Sequence, residues 1–432
     1  MTLTDDKVVP RPTKPLATRV AVTGMGVVSP AGNSPDEAMA ALFAARPTAA
    51  HLQPLVDAGA IVTFGCAVPH LDEERLFTPK ERIQLDRPAK LALAAAIEAC
   101  ADSDLRLDGH GSRAGVFVGT GIGGLGWMER AVQDYGHRLP RIPPATVLRV
   151  MSSAPAALLC ARLGVTGMSL TFSTACASGA SAVGEAMRRI RDGSLDVAVA
   201  GGVDAPLSPL VVSAFAAMRA LSRRADAPAS ACRPFDDQRD GFVMAEGATF
   251  LVLERLEHAV GRGARVYGEV VGYGTTTDTG HLTTPAPDGV PAAASIRLAL
   301  ADAGLTPAAI GHVSAHGTST VLNDRIEALA LAAVFGADCP PVTASKGVVG
   351  HMIGAAGAFE AAMGLLCARA RAVPPVANFS SGRDAAGIDV VHGSPRRIGS
   401  APVLSTSFGF GGQNTCLVLS PGGPGPVAGQ RS

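Results

Sequence analysis

One pattern constrains this chain more than any other. Short apolar runs end in glycine or other small residues, and each is followed by a stretch with helical spacing. Residues 19–30 form the first such run, a buried strand ending in a glycine turn. Ser34-Pro35-Asp36-Glu37 then opens a helix, with Ser34 at the N-cap, Pro35 at the first helical position and two acids in the first turn. Residues 114–120, 168–172 and 195–202 read as further buried strands, and 249–256 as an edge of the same sheet. A long helix is expected over 79–103, with Ala92, Ala95 and Ala96 as its small face, and another over 145–163. A second series starts near Arg265. Strands are expected at 266–273, 312–315, 341–345, 403–407 and 415–419, and helices at 290–304, 323–335 and 354–371. Apolar strands alternating with helices argue an α/β fold whose sheets are covered on both sides. The two halves, 18–260 and 261–421, carry a similar order of elements, a repeat of pattern and not of identity. Residues 1–17 read as a disordered leader and 422–432 as a flexible tail.

Composition narrows the partners. Lys+Arg and Asp+Glu both number 37, so the formal charge is zero and neither nucleic acid nor an anionic membrane surface is indicated. No apolar run reaches membrane-spanning length without Gly, Pro or charge, and the first 17 residues have no apolar signal core, so a soluble chain is expected. The eight cysteines show no CxxC spacing. Neither a disulfide framework nor a metal site is indicated, and a reducing cytoplasm fits best. Gly119-Thr120-Gly121-Ile122-Gly123-Gly124 is not read as a dinucleotide fingerprint, because no strand-turn-helix unit with an acid about 20 residues on supports it.

Four stretches carry candidate chemistry. In the first, the apolar run from Met168 to Phe172 stops in small residues, Cys176 follows, and a helix-like run extends from Ala177 to Met187. Cys176 thus stands where a strand ends and a helix begins, and the free N–H groups of a helix start favour a thiolate. It is expected to be an acyl-accepting nucleophile; its ordinary reading is a small buried cysteine. The other three stretches lie in the second half. His316 sits in Ala315-His316-Gly317-Thr318-Ser319-Thr320, with Asp324 and Glu327 beyond it. Lys346 and His351 flank Gly347-Val348-Val349-Gly350, with Glu360 further on. Ser407-Phe408-Gly409-Phe410-Gly411-Gly412 is the last. Taken singly, each has a structural reading: a solvated histidine, a surface lysine, a packed turn. All follow strand-like runs, so all can converge at one sheet edge, where a cysteine, two histidines and a lysine make an acyl-transfer set.

In this order and with these flanks, the residues resemble the β-ketoacyl-acyl-carrier-protein synthases of fatty acid and polyketide synthesis, over about residues 18–421. Arg233-Pro234-Phe235-Asp236, Asp240-Gly241-Phe242 and Glu246-Gly247 agree as well. The resemblance implies the thiolase fold: two similar α/β halves in a five-layer α-β-α-β-α sandwich, usually dimeric. It implies Cys176, His316, His351 and Lys346 as catalytic residues, and the N–H groups of Cys176 and Phe410 as oxyanion hole. Asp324, Glu327 and Glu360 are implied as supporting residues, Glu360 alternatively as a cation ligand. Phe408 and Phe410 would gate the site, and Ile122 and Trp127 would line an acyl pocket. The partner would be acyl carrier protein, met by Arg219 and more weakly by Lys80, Arg138 and Arg141. No cofactor is implied beyond the carrier's own phosphopantetheine. The second subunit would be another copy or a chain-length-factor-like chain.

The chain departs from the family pattern at several points. Trp127 stands where smaller apolar residues are common, Thr406 replaces a common asparagine, and Val321 and Arg325 alter the His316 loop. Ala205-Pro206-Leu207-Ser208-Pro209 and Ala245-Glu246-Gly247 look more like type II polyketide ketosynthase subunits, whereas His281 to Pro285 looks more like fatty acid synthases. A thiolase is the first alternative, but thiolases use a second cysteine where this chain has residues 408–412. A non-catalytic chain-length subunit is the second, but such subunits lack the nucleophile.

Overall fold

The computed structural model describes residues 18–422, so the expected leader and nearly all of the expected tail lie outside the described residues. In the first half, β1 (Val20–Val28), β2 (Ala114–Gly119), β3 (Met168–Phe172), β4 (Val197–Asp204) and β5 (Gly247–Arg255) lie side by side in the order β3-β2-β4-β5-β1. In the second, β6 (Gly268–Thr277), β7 (His312–Ser314), β8 (Val342–Thr343), β9 (Val403–Gly409) and β10 (Gln413–Pro421) run β8-β7-β9-β10-β6. Counted from the start of each half, both orders are 3-2-4-5-1. The directions match too. The second strand is parallel to the third and fourth, and the fifth is antiparallel to the fourth and the first. The halves are therefore one topology used twice. They are stitched into a ten-stranded sheet by the short β1–β6 pairing, Ala21 with Glu269 and Val22 with Gly268.

Helices supply the three α layers in the α-β-α-β-α order of the thiolase fold, and the two halves of the sheet supply the β layers. Helices α1 (Arg87–Ser103) and α2 (Ala154–Leu163) cover the outer face of the first sheet. α3 (Ser178–Arg191) lies between the sheets, and α4 (Val290–Ala303) and α5 (Val321–Phe335) cover the outer face of the second. α6 (Ala356–Ala370) shares the middle layer with α3. A middle-layer helix meets protein on every side, which is why α6 is apolar nearly all round and buried through most of its length. The small face expected on α1 has a partner: Gly26 of β1 comes so close that a Cβ there would lie 1.8 Å from the Ala95 carbonyl.

Three expectations are corrected. The helix over 79–103 is two helices, Pro79–Gln84 and α1, because Leu85 is extended and Asp86 caps the second by accepting from the Ala89 N–H. The helix over 145–163 is likewise split into Thr146–Val150 and α2 at an extended Met151, and Pro155 stands in the first turn of α2, where a helix tolerates proline. The strand over 249–256 is not an edge. β5 is paired on both sides, by β4 and β1, and the edge of the first half is β3.

Candidate active site

The strand ends of both halves bring the four stretches together. After β3 the chain makes a 3-10 turn over Ala175–Ala177 and enters α3, placing Cys176 at the inner-layer helix start. Ala175 has φ 48°, a left-handed conformation that turns the chain sharply just ahead of Cys176. The loop after β7 carries His316, and the segment before α6 carries Lys346 and His351. The Cys176 sulfur and ring nitrogens of His316 and His351 lie within 4.8 Å of one another. All three side chains are buried at the foot of a cavity of about 280 Å³. Its mouth is at Met218, Arg219, Leu282, Val321 and Leu322, and Thr318, Thr320, Phe242, Phe408 and Phe410 line its wall.

The histidines are held as neutral rings. Burial is the main cause, and the Lys346 ammonium adds to it, keeping both well below the ordinary histidine range. Lys346 Nζ lies 3.2 Å from His316 Nδ1 and also donates to the His316 carbonyl and to Glu360. An ammonium only donates, so Nδ1 is the acceptor and the ring proton sits on Nε2. His351 stands edge-on to His316, with ring centroids 5.4 Å apart. Its backbone is pinned at both ends: its N–H donates to the Val243 carbonyl at 2.7 Å, and its carbonyl accepts from Ala245 at 3.0 Å. The site is thus a thiol facing two neutral imidazoles, able to donate hydrogen bonds to an anion.

At Cys176 the expected thiolate is not the resting form. Burial pushes the thiol up to about 11; the Lys346 charge and the Phe410 N–H work against that without overcoming it. The Phe410 N–H lies beside the Cys176 sulfur.

The three acids support the site through backbone and charge. Glu327 accepts from the N–H groups of His316 and Gly317, both at 2.8 Å. Thr406, the unusual residue, closes that cluster: its hydroxyl donates to Glu327 at 2.6 Å and accepts from the His316 N–H at 3.0 Å. Asp324 accepts from Ser319 and Phe235 N–H groups, fixing the far end of the loop. Glu360 pairs with Lys346, so its carboxylate is engaged by an ammonium inside the protein. Cys176, His316 and His351 are also spaced as a metal set would be, but the Lys346 ammonium against His316 opposes a dication there.

Some expected residues are not brought to the site. Trp127 lies under the guanidinium groups of Arg149 and Arg130, at 4.0 and 5.2 Å, and is not among the residues lining the cavity. Ile122 also does not line the cavity; its N–H is tied to Asp204 instead. Arg219 is exposed at the mouth, whereas Lys80, Arg138 and Arg141 lie on other segments away from it. Sequence reasoning missed Asp204, a buried carboxylate at the end of β4 that carries no local signal, and Phe215, whose ring stacks on Phe410 at 6.2 Å.

Fold and site together define a thiolase-fold condensing enzyme, an acyltransferase. Residues 17–259 match the family model "Beta-ketoacyl synthase, N-terminal domain" and residues 267–380 match "Beta-ketoacyl synthase, C-terminal domain". The chain belongs to the β-ketoacyl synthase family. It is 36% identical to the 3-oxoacyl-[acyl-carrier-protein] synthase 2 of Vibrio cholerae, over 93% of this chain and 98% of that protein. Its identity to the synthase 2 of Synechocystis is also 36%, over 93% and 97%. Among solved structures, the ishigamide ketosynthase/chain length factor superposes with a TM-score of 0.86 at 33% identity, covering 94% of this chain and all of that one. A type II polyketide ketosynthase in complex with its acyl-carrier protein gives 0.86 at 31% identity, again covering 94% and all of that chain.

Proposed function

We propose that this enzyme elongates a polyketide chain in a type II system, condensing malonyl units on acyl carrier protein with an acyl group held on Cys176. The observation that carries the chemistry is the meeting of Cys176, His316 and His351 at the foot of an open cavity. The Cys176 thiol adds to the incoming thioester carbonyl and the carrier's thiol leaves with the proton. Malonyl carrier then loses CO₂, and the enolate oxygen accepts hydrogen bonds from His316 and His351. The enolate carbon attacks the acyl carbonyl on Cys176, whose oxygen is held by the Cys176 and Phe410 N–H groups. The C–S bond breaks, the sulfur leaves as a thiolate, and it takes a proton from water to restore the thiol. One such donor is worth about 2.7–4 kcal/mol in the transition state. Lys346, paired with Glu360, keeps His316 neutral and oriented. No cofactor or metal is needed for these steps.

The polyketide assignment is supported by the residues at 205–209 and 245–247 and by the ketosynthases among the structural relatives. The synthase 2 relatives favour fatty acid elongation as the second reading. The carrier would dock where Arg219 stands at the cavity mouth. A second subunit, another copy or a chain-length-factor-like chain, would cover the open β3 edge. Eight free cysteines fit a reducing cytoplasm. Mass spectrometry after incubation with acyl-carrier protein tests the mechanism. An adduct is expected on Cys176 and absent in Cys176→Ala; labelling elsewhere would overturn it. His351→Ala should slow malonyl decarboxylation more than acylation. Product analysis with malonyl carrier separates the pathways, since a polyketide enzyme must accept an unreduced β-keto chain for the next round.

A further inference from the structure

The second half repeats the nucleophile's turn without the nucleophile. In the first half the 3-10 turn over Ala175–Ala177 leads into α3; in the second, a 3-10 turn over Ile353–Ala355 leads into α6. Each follows the third strand of its half. Each begins at a left-handed residue, Ala175 at φ 48° and Ile353 at φ 47°. Aligned on that residue, Ala175-Cys176-Ala177-Ser178-Gly179-Ala180 stands over Ile353-Gly354-Ala355-Ala356-Gly357-Ala358. Gly354 takes the nucleophile's place. A β-branched residue such as Ile353 is rarely found in this conformation, which persists only where the surroundings impose it.

Asp204 supplies that constraint. Its Oδ2 accepts from the Gly354 N–H at 2.6 Å and the Gly121 N–H at 2.8 Å. Its Oδ1 accepts from the Ile122 N–H at 2.9 Å and the Thr120 hydroxyl at 2.8 Å. Four donors on two oxygens match an ionised carboxylate. The Gly354 N–H is the counterpart of the Cys176 N–H, which serves the oxyanion of the reaction. A fixed carboxylate thus occupies in the second turn the position that a transient oxyanion takes in the first. A Cβ at Gly354 would lie 2.6 Å from Asp204 Oδ2, so the fit requires glycine there. His351 is three residues ahead of Gly354, and Thr120 to Ile122 belong to the other half, so this carboxylate ties the histidine's loop across the molecule.

We infer that Asp204 is a positioning residue. By filling the oxyanion position of the cysteine-less turn, it holds Ile353 and Gly354 in place and so sets His351 against Cys176. The consequence for decarboxylation rests on the condensing mechanism above. Asp204→Asn replaces one acceptor oxygen with an NH₂ facing N–H donors. Ile353→Gly removes the strain that Asp204 must hold. Malonyl-carrier decarboxylation, Cys176 acylation, Cys176 alkylation by iodoacetamide and the urea unfolding midpoint are measured in wild type, both single variants and the double variant. Asp204→Asn is expected to slow decarboxylation at least tenfold and acylation less than threefold, with the double variant regaining a large part of both decarboxylation and midpoint. An unchanged decarboxylation rate, an equal loss in both half-reactions, or no recovery in the double variant overturns the inference. If Asp204→Asn does not fold, recovery of folding by Ile353→Gly supports it and failure of that recovery overturns it. A wild-type protein inert toward both carrier substrates would count against the condensing mechanism, while alkylation and unfolding still judge Asp204.

Discussion

At Cys176 two influences oppose each other. Burial raises the thiol to about 11, and the Lys346 charge with the Phe410 N–H lowers it. Alkylation by iodoacetamide should therefore keep accelerating above pH 9, as the thiolate fraction grows. Lys346→Met removes the larger of the two lowering effects, so it should shift the profile to higher pH and slow alkylation at pH 8; a plateau below pH 8 in wild type would count against this balance. At Thr406 the hydroxyl both gives to Glu327 and receives from His316. Thr406→Val leaves these buried groups short of a partner and should cost about 1–3 kcal/mol in urea unfolding. Asparagine there should cost less, since it can still donate and accept. The chemistry-bearing residues were legible as types in small-residue loops after strands. Asp204 was not, because an aspartate at a strand end is ordinary until its four donors, drawn from positions 120–122 and 354, are seen around it.

Elements were legible in kind and less so in extent. The apolar spacing of α1 runs on through residues 79–85, which hides a break that Asp86-Arg87-Pro88 does encode, an N-cap with proline in the first turn. β5 was misread as an edge because strand order is a tertiary property and its own sequence is equally apolar on both faces. The close approach of α1 to β1 makes a testable demand at one position. Gly26→Ala puts a methyl 1.8 Å from the Ala95 carbonyl and must push the helix off the sheet. The expected loss is about 1–3 kcal/mol, as for other overpacked sites, read as a lower urea midpoint with an unchanged slope. A midpoint equal to wild type would mean that α1 moves freely.

For the whole molecule, two predictions concern assembly and acid. Among the described residues β3 is paired on one side only, and Leu170 on it is exposed, as are Val132, Leu139, Val147 and Leu148 on the helices and turns between β2 and α2. An open strand edge and exposed apolar side chains are features suited to the second subunit proposed above. Leu170→Asp should convert a two-chain particle into a one-chain particle in sedimentation. His312 on β7 is fully buried, and neither ring nitrogen has a partner among the described residues. Burial lowers it to about 3 from 6.5. The unfolded chain therefore binds the extra proton between these values, so the contribution of this group is complete above pH 6.5 and is lost as pH falls toward 3. The slope is about 1.4 kcal/mol per pH unit for one proton. His312→Leu should flatten the stability profile between pH 6 and 4. From sequence alone the α/β class, the two-half order and the stretches that carry Cys176, His316 and His351 were legible, because periodicity, glycine turns and motif order are local. Tertiary structure alone decided that both halves share the order 3-2-4-5-1, that Trp127 stays off the cavity, that the resting sulfur is a thiol, and that Asp204 fills a second, silent copy of the nucleophile's turn. Each of these depends on burial or on contacts between residues far apart in the chain, and neither is a property of any single stretch.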